Sequence, residues 1–312
     1  MRILGIDTSN YTTSAALYDS ESGELIQRKK LLPVKSGEKG LRQSDAVFHH
    51  TVQLWELVEE LFAVSPGAVD AVGVSVKPRN AQGSYMPCFS VGVNAAHCIA
   101  AASGVPVYGF SHQCGHIAAA LYSCGKFEEL HKSEFIAFHV SGGTTEMLFV
   151  TPDDRDGFNA EIIGKTLDLN AGQAVDRAGV LMGLPFPCGV HLEKLALQSD
   201  KKYKPKVYFK DGCCSLSGVE NQCKKMLDGG ENQCDIARFC IDCITAALDK
   251  MTAFAIEKYG KLPLLYAGGV VSDSIIRNEL VKKYSGFFAA PEFSCDNAAG
   301  TALLAYERRK KQ

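Results

Sequence analysis

Two histidines four residues apart, in SHQCGHIAAA (111–120), are the first residues in this sequence whose spacing suggests chemistry. On a helix that spacing brings both imidazoles to one face, about one turn apart. Two side chains placed so can share one metal ion. Two ligands do not complete a site, and a pair of helix-packing histidines has the same spacing. Gln113, Cys114 and Gly115 stand between His112 and His116, so the HExxH glutamate of a metallopeptidase is absent.

Three short turns could handle phosphate. SGGTT (141–145) offers two glycines and three hydroxyls, and successive backbone N–H groups in such a turn can form an anion-binding nest. An ordinary hairpin turn uses the same residues. DTSNYTTS (7–14) is a parallel case, with Asp7 beside the turn. YAGGVVSD (266–273) opens a strand through Gly268 and Gly269 into Ser272 and Asp273. The last two can cap the following SIIRNEL helix, and the glycines would let a nucleotide lie against the backbone. Three such turns at strand ends are far more specific together than singly.

The elements that must position these residues fall into two similar halves. ILGIDTSNYTTSAALYD (3–19) and FIAFHVSGGTTEMLFVT (135–151) each read as strand, small polar turn, strand. Each half then runs through helical stretches to a further buried strand, AVDAVGVSV (68–76) and LPLLYAGGVV (262–271). Halves that begin alike point to two related α/β domains with a cleft between them. The boundary is expected near 125–134, giving domains 1–130 and 131–312, with the last helix crossing back. Helices are predicted over 46–64, over 88–104, ending at Gly104, over 234–260 and over 297–310. The 88–104 stretch is apolar nearly all round, so a fully buried helix is expected.

Bulk composition sets limits. The 312 residues carry a formal net charge of −2, with 46% hydrophobic and 22% charged residues. A soluble globular protein is expected, with no global positive field to draw in nucleic acid. Basic stretches exist locally: QRKK (27–30), KKYKPKVYFK (201–210) and ERRKK (307–311). The middle one interleaves aromatics with lysines, which suits RNA backbone contact with stacking, or a solvated loop. No leader or membrane span is read, so a cytoplasmic protein is expected. The 12 cysteines read as reduced thiols, and the CxxC at Cys240 and Cys243 has no second pair to make a zinc knuckle.

Read in order, GIDTSNYTTSAAL, SHQCGHIAAAL, FHVSGGTTEM, TLDLNAGQAVDRAGVLMGLPFPCG, SLSGVENQ, AGGVVSD and CDNAAG resemble the bacterial threonylcarbamoyladenosine synthase family. That family was formerly called O-sialoglycoprotein endopeptidase or glycoprotease, and the resemblance runs over about residues 3–308. It implies the actin/sugar-kinase/Hsp70-like ATPase fold, two ribonuclease-H-like halves around a cleft. It implies transfer of a threonylcarbamoyl group from threonylcarbamoyl-adenylate to the adenosine next to the anticodon of tRNA. It implies one divalent metal, iron or zinc, on His112, His116 and Asp296. By the same resemblance Val140, Ser141, Gly142 and Gly143 lie against the adenylate phosphate, and Asp176 and Gly189 hold the adenosine. Gly268, Gly269 and Asp273 stand where the family's AGGVxxN motif meets the nucleoside. The implied ligand is ATP or threonylcarbamoyl-adenylate, and the implied partners are tRNA, a smaller paralogous subunit lacking the metal histidines, and an ATPase subunit.

The chain also departs from the family pattern. Tyr11 and Thr12 replace the acidic pair beside the reacting group, and Asp7 replaces a Glu. VKPRNAQGSYMPCF (76–89) replaces a Gly-rich turn, Cys188 replaces the first Gly of YPGG, and Asp273 replaces an Asn. Asp7 and Ser141 are left as the catalytic candidates. The pattern is that of a diverged paralogue, with a nucleotide-binding scaffold of little or no transfer activity as the alternative function.

Overall fold

The protein is described by a computed structural model over residues 1–9, 11–33, 41–294 and 298–312. In chain order the elements are β1 (Arg2–Asp7), β2 (Thr12–Asp19), β3 (Leu25–Leu31), α1 (Gln43–Val64), β4 (Ala71–Lys77), α2 (Phe89–Ser103), β5 (Val107–Ser111), α3 (His112–Ser123) and α4 (Phe127–Leu130). There follow β6 (Phe135–Val140), β7 (Thr145–Asp153), β8 (Gly157–Lys165), α5 (Ala171–Leu181), α6 (Gly189–Ala196), β9 (Tyr208–Lys210), β10 (Cys213–Ser215), α7 (Ser217–Asp228) and α8 (Gln233–Tyr259). The last are β11 (Leu264–Ala267), a 3₁₀ turn (Gly269–Ser272), α9 (Ser274–Tyr284), β12 (Phe287–Phe288) and α10 (Ala299–Lys310).

The chain divides into two compact units. The first comprises residues 1–133, 151–160 and 295–312, and the second 134–150 and 161–294. Each holds a five-stranded sheet. The first is ordered β3-β2-β1-β4-β5 and the second β12-β11-β6-β7-β8. Numbered from its own first strand, each sheet has the same order, 3-2-1-4-5. In both, the opening hairpin is antiparallel, and the strand after the helical excursion joins the other side of the first strand in parallel. This is the duplicated α/β architecture expected from the two hairpin patterns.

In the first unit, Leu4, Ile6, Val72 and Val74 point to one face of the sheet and pack on α1 and α2. The intervening residues face α10, as the two-residue period of a strand requires. A Cβ at Gly73 would run into the Thr301 carbonyl, so its lack of a side chain lets α10 lie close on the sheet. In the second unit α8 supplies the long apolar spine, with Ile241, Ile244, Leu248 and Met251 buried against β6 and its neighbours. Phe138, Tyr266 and Phe288 stack across β6, β11 and β12, each ring 4.7 Å from the next.

One expectation needs correction. α2 is not buried all round. Phe89, Gly92, Ala96 and Ala100 form its single buried stripe, while His97 and Cys98 face solvent. Ala101 and Ala102 are exposed as well, and a single methyl group in water needs no cover. Six of the twelve Lys and Arg residues in the basic stretches have an acidic partner among the described residues. Arg28 pairs with Glu60, Lys30 with Glu56, Lys201 with Asp235, Lys202 with Glu279, Lys310 with Glu307 and Lys311 with Asp154. Tyr203 packs edge-on against Phe239, so it is part of the core margin. Among the described residues every cysteine is a free thiol.

Candidate functional site

The histidine pair stands at the start of α3, in the first unit. Ser111 caps this helix, its hydroxyl accepting the Cys114 N–H at 3.3 Å. His112 and His116 project from successive turns, with their Nε2 atoms 2.8 Å apart. On its other side the His112 ring meets Asp7, with Nδ1 and Oδ2 2.8 Å apart. Asp7 ends β1 and is 1% exposed. Burial works to raise its pKa. The electrostatic pull of the His112 ring and the hydrogen bonds from His112, Ser75 and Ser9 outweigh that, and the carboxyl is held below the usual range.

Two imidazole nitrogens in direct contact, one ring anchored by a carboxylate, are donor types that suit a zinc or ferrous ion. Among the described residues no group of three or more metal-binding side chains converges. Asp296, the third expected donor, lies outside the described residues. Tyr11 is 44% exposed, whereas Thr12 is buried as the first residue of β2.

The second unit holds a cavity of about 460 Å³, and the phosphate-loop candidates gather around it. The 141–144 turn is closed by the Ser141 N–H donating to the Thr144 carbonyl at 2.7 Å and by the Thr144 N–H donating to the Ser141 hydroxyl. The Ser141 hydroxyl thus serves the turn itself. α5 begins directly against this turn. Its Gly172 N–H donates to the Ser141 carbonyl at 3.1 Å, and the Asn170 side chain donates to the Gly143 carbonyl at 3.0 Å. A Cβ on Gly172 would collide with the Gly142 backbone. The first N–H groups of α5 are engaged within the protein, Ala171 by the Thr145 hydroxyl, Gly172 by the Ser141 carbonyl and Gln173 by the Asn170 side chain, so what the helix brings to the glycine turn is its positive dipole end.

Of the expected ligand contacts, Gly142, Asp176, Gly189, Gly269 and Asp273 line this cavity. Ser141 and Gly143 lie in the turn beside it, and Val140 is buried beneath. Gly268 has φ +107°, and a side chain there would strike Val140. It therefore holds the 269–272 turn tight against the end of β6. Asp176 accepts the Cys188 N–H at 2.8 Å, which ties α5 to the start of α6.

Asp273 caps α9, accepting the N–H groups of Ile275 and Ile276 at 2.9 and 3.1 Å. Its pKa is pushed up to about 6. Burial is the largest cause, the helix amides pull the other way, and the Glu193 charge adds to the rise. Glu193 was not among the sequence candidates. It lines the same cavity, and its Oε1 accepts both the backbone N–H and the hydroxyl of Ser274. The available signal was its place one helical turn after Gly189, on the same face of α6. The Ser272 hydroxyl, also on the cavity wall, is buried without a hydrogen-bond partner.

Comparison with known proteins decides the family. Residues 33–303 match the TsaD family, tRNA N6-adenosine threonylcarbamoyltransferase. The chain belongs to that family. Proteins named tRNA N6-adenosine threonylcarbamoyltransferase from Herminiimonas arsenicoxydans and Bacillus licheniformis are 30% and 29% identical to it. The first match covers 97% of this chain and 90% of the relative, the second 91% and 83%.

Solved structures share the actin/sugar-kinase/Hsp70-like fold at low identity. The (R)-2-hydroxyglutaryl-CoA dehydratase component A of Acidaminococcus fermentans superposes with TM-score 0.57 at 14% identity, covering 99% of both chains. Full-length HypF in its phosphate- and nucleotide-bound form gives 0.60 at 13%, covering 99% of this chain and 55% of that one. A ROK family glucokinase from Streptomyces griseus gives 0.51 at 14%, covering 98% of this chain and all of the other. The tRNA threonylcarbamoyltransferase family thus spans nearly the whole of this chain.

Proposed function

We propose that this chain is a metal-dependent threonylcarbamoyl transferase acting on the adenosine next to the anticodon of tRNA, with threonylcarbamoyl-adenylate as donor. The observation that carries the reading is the pair of converging Nε2 atoms of His112 and His116 in a chain of this family. These two histidines, with Asp296, would hold iron or zinc. Such an ion supplies Lewis-acid polarisation of a phosphate or carbamoyl oxygen. The N–H groups of Gly142 and Gly143, with the positive dipole end of α5 behind them, bind the adenylate phosphate, and Asp176 and Glu193 accept hydrogen bonds from the ribose hydroxyls. Backbone N–H groups at the turn stabilise the charge that develops as adenylate leaves.

The chain's near-neutral charge and internally paired lysines support a reading in which tRNA is presented with partner help. The smaller paralogous subunit of the family would find an apolar stripe on α1, where Phe48, Val52 and Trp55 are exposed. A protein that modifies tRNA works where tRNA is, in the cytoplasm. Among the described residues no helix is long and apolar enough to cross a membrane. One observation favours the scaffold reading: neither Tyr11 nor Thr12 supplies the carboxylate charge that the family's acidic pair carries at neutral pH.

The test is metal analysis of the purified chain, nucleotide binding, and a tRNA modification assay with and without the partner subunits. Iron or zinc at one per chain, lost in a His112→Ala/His116→Ala variant, is the expected result. A Cβ at Gly142 meets no protein atom within 4 Å, so Gly142→Val should fold normally. That variant should bind ATP or an adenylate analogue at least tenfold more weakly, a loss of about 1.4 kcal/mol or more. Unchanged affinity would mean that the turn is no more than a turn. Binding without any transfer under every partner combination would establish the scaffold instead.

A further inference from the structure

We propose that Asp7 is a positioning residue that keeps the His112 proton on Nδ1, so that Nε2 presents its lone pair beside Nε2 of His116. Asp7 cannot reach a substrate. It is 1% exposed, and both carboxylate oxygens are engaged. Oδ1 accepts the Ser9 N–H at 2.8 Å. Oδ2 accepts the Ser75 hydroxyl at 2.5 Å and faces His112 Nδ1 at 2.8 Å.

Both Asp7 oxygens already accept from donors, the Ser9 N–H and the Ser75 hydroxyl, so the ring nitrogen facing Oδ2 at 2.8 Å completes the set as a third donor. The proton between Asp7 and His112 therefore resides on Nδ1, and in a neutral ring Nε2 is left as the acceptor. That nitrogen is the one 2.8 Å from His116 Nε2. The His112 ring is also held edge-on to Phe89, centroids 6.3 Å apart, which limits its rotation. Three elements thus meet at one imidazole: β1 through Asp7, β4 through Ser75, and α2 through Phe89. A carboxylate on the far nitrogen of a ligating histidine fixes its tautomer and raises its basicity. This inference rests on the metal reading above for its purpose, but its geometry does not depend on a metal.

Two measurements test it. In metal-free protein labelled with ¹⁵N-histidine, the His112 nitrogen shifts report the tautomer directly. Nδ1–H is expected in the wild type. In Asp7→Asn the amide can donate to Nδ1, and the population should move toward Nε2–H. In parallel, zinc affinity is measured by competition with a chromophoric chelator for the wild type, Asp7→Asn, Asp7→Ala and Ser75→Ala. The Asp7 variants should bind zinc about 10–100-fold more weakly, as loss of a carboxylate partner to a ligating histidine does elsewhere.

Ser75→Ala keeps the carboxylate and loses one donor to it, so it provides a milder variant should the Asp7 replacements fold poorly. It should weaken zinc binding by less. A wild-type His112 protonated on Nε2 overturns the proposal, as does an Asp7→Asn protein with wild-type tautomer and zinc affinity. A wild type that binds neither zinc nor iron overturns the metal reading itself and with it the purpose assigned to Asp7.

Discussion

The motif resemblance sets Asp273 against an Asn, and the position of this carboxyl makes the exchange measurable. Unfolded, an aspartate titrates near 3.8, whereas here the value is about 6. The folded state therefore holds this proton more tightly than the unfolded state. Stability falls as pH rises from about 4 to 6, and above that the burial cost is complete, on the order of 2–3 kcal/mol. Asp273→Asn keeps a capping side chain and removes the charge. Urea titrations at about pH 4.5 and 7.5 should show the variant gaining stability over the wild type at the higher pH. An identical difference between the two proteins at both pH values would contradict the assignment. Tyr11 and Thr12 differ in what they can accept. Exposed Tyr11 can become Asp without burying charge, and Tyr11→Asp should raise any transfer rate, since a positioned acid or base is worth about 10²–10⁴-fold. Thr12 is 5% exposed, so Thr12→Glu should lower the melting temperature unless its carboxylate finds a donor. A Tyr11→Asp enzyme no faster than wild type would show that this acid is not what the chain lacks.

The helices carrying the site depend on backbone contacts as much as on side chains. α10 crosses α3 with Gly300 against Gly115, and a Cβ on Gly300 would run into the Gly115 carbonyl. Gly115 lies between the two histidines. Gly300→Ala must therefore push apart the two helices near the histidine pair, and a loss of about 1–3 kcal/mol is expected, as for other overpacked sites. Thermal unfolding and metal content, measured together, check it; a fully stable variant with normal metal would mean that the helices part easily here. At this scale much could be read from sequence. Both hairpins, the cap on α9 and the Gly104 and Gly260 ends of α2 and α8 follow from local residue chemistry. What could not be read is non-local. Asp7 meets His112 across 105 residues, and Glu193 meets Ser274 across 81. No periodicity records either contact. The single buried stripe of α2 was equally hidden, because alanine is compatible with either side of a helix.

At the scale of the whole chain, the repeated 3-2-1-4-5 sheet order was foreshadowed by two strand–turn–strand patterns, and a boundary near 125–134 with the last helix crossing back was read as well, while the place of residues 151–160 in the first unit was not. That last helix belongs to the first unit. α10 covers the face of β1 and β4 opposite α1 and α2, and Ala299, Ala302, Leu303 and Ala305 are buried there. Removing residues 298–312 should leave the first unit unable to fold while the second keeps its own core. Limited proteolysis of such a truncation would then return a protected fragment from the 134–294 region; protection of residues 1–133 would contradict it. The same feature has a consequence for biosynthesis. Chains emerge from the ribosome at about 5–20 residues per second, and domains usually close in the order they appear. Here the first strand made waits for the last helix made. The second unit has every residue it needs while the first still exposes a bare sheet face, so the unit begun first is completed last. In the interval that face is a natural client for a chaperone, and a truncation that removes α10 would strike the histidine-bearing unit, whose own histidines lie far upstream.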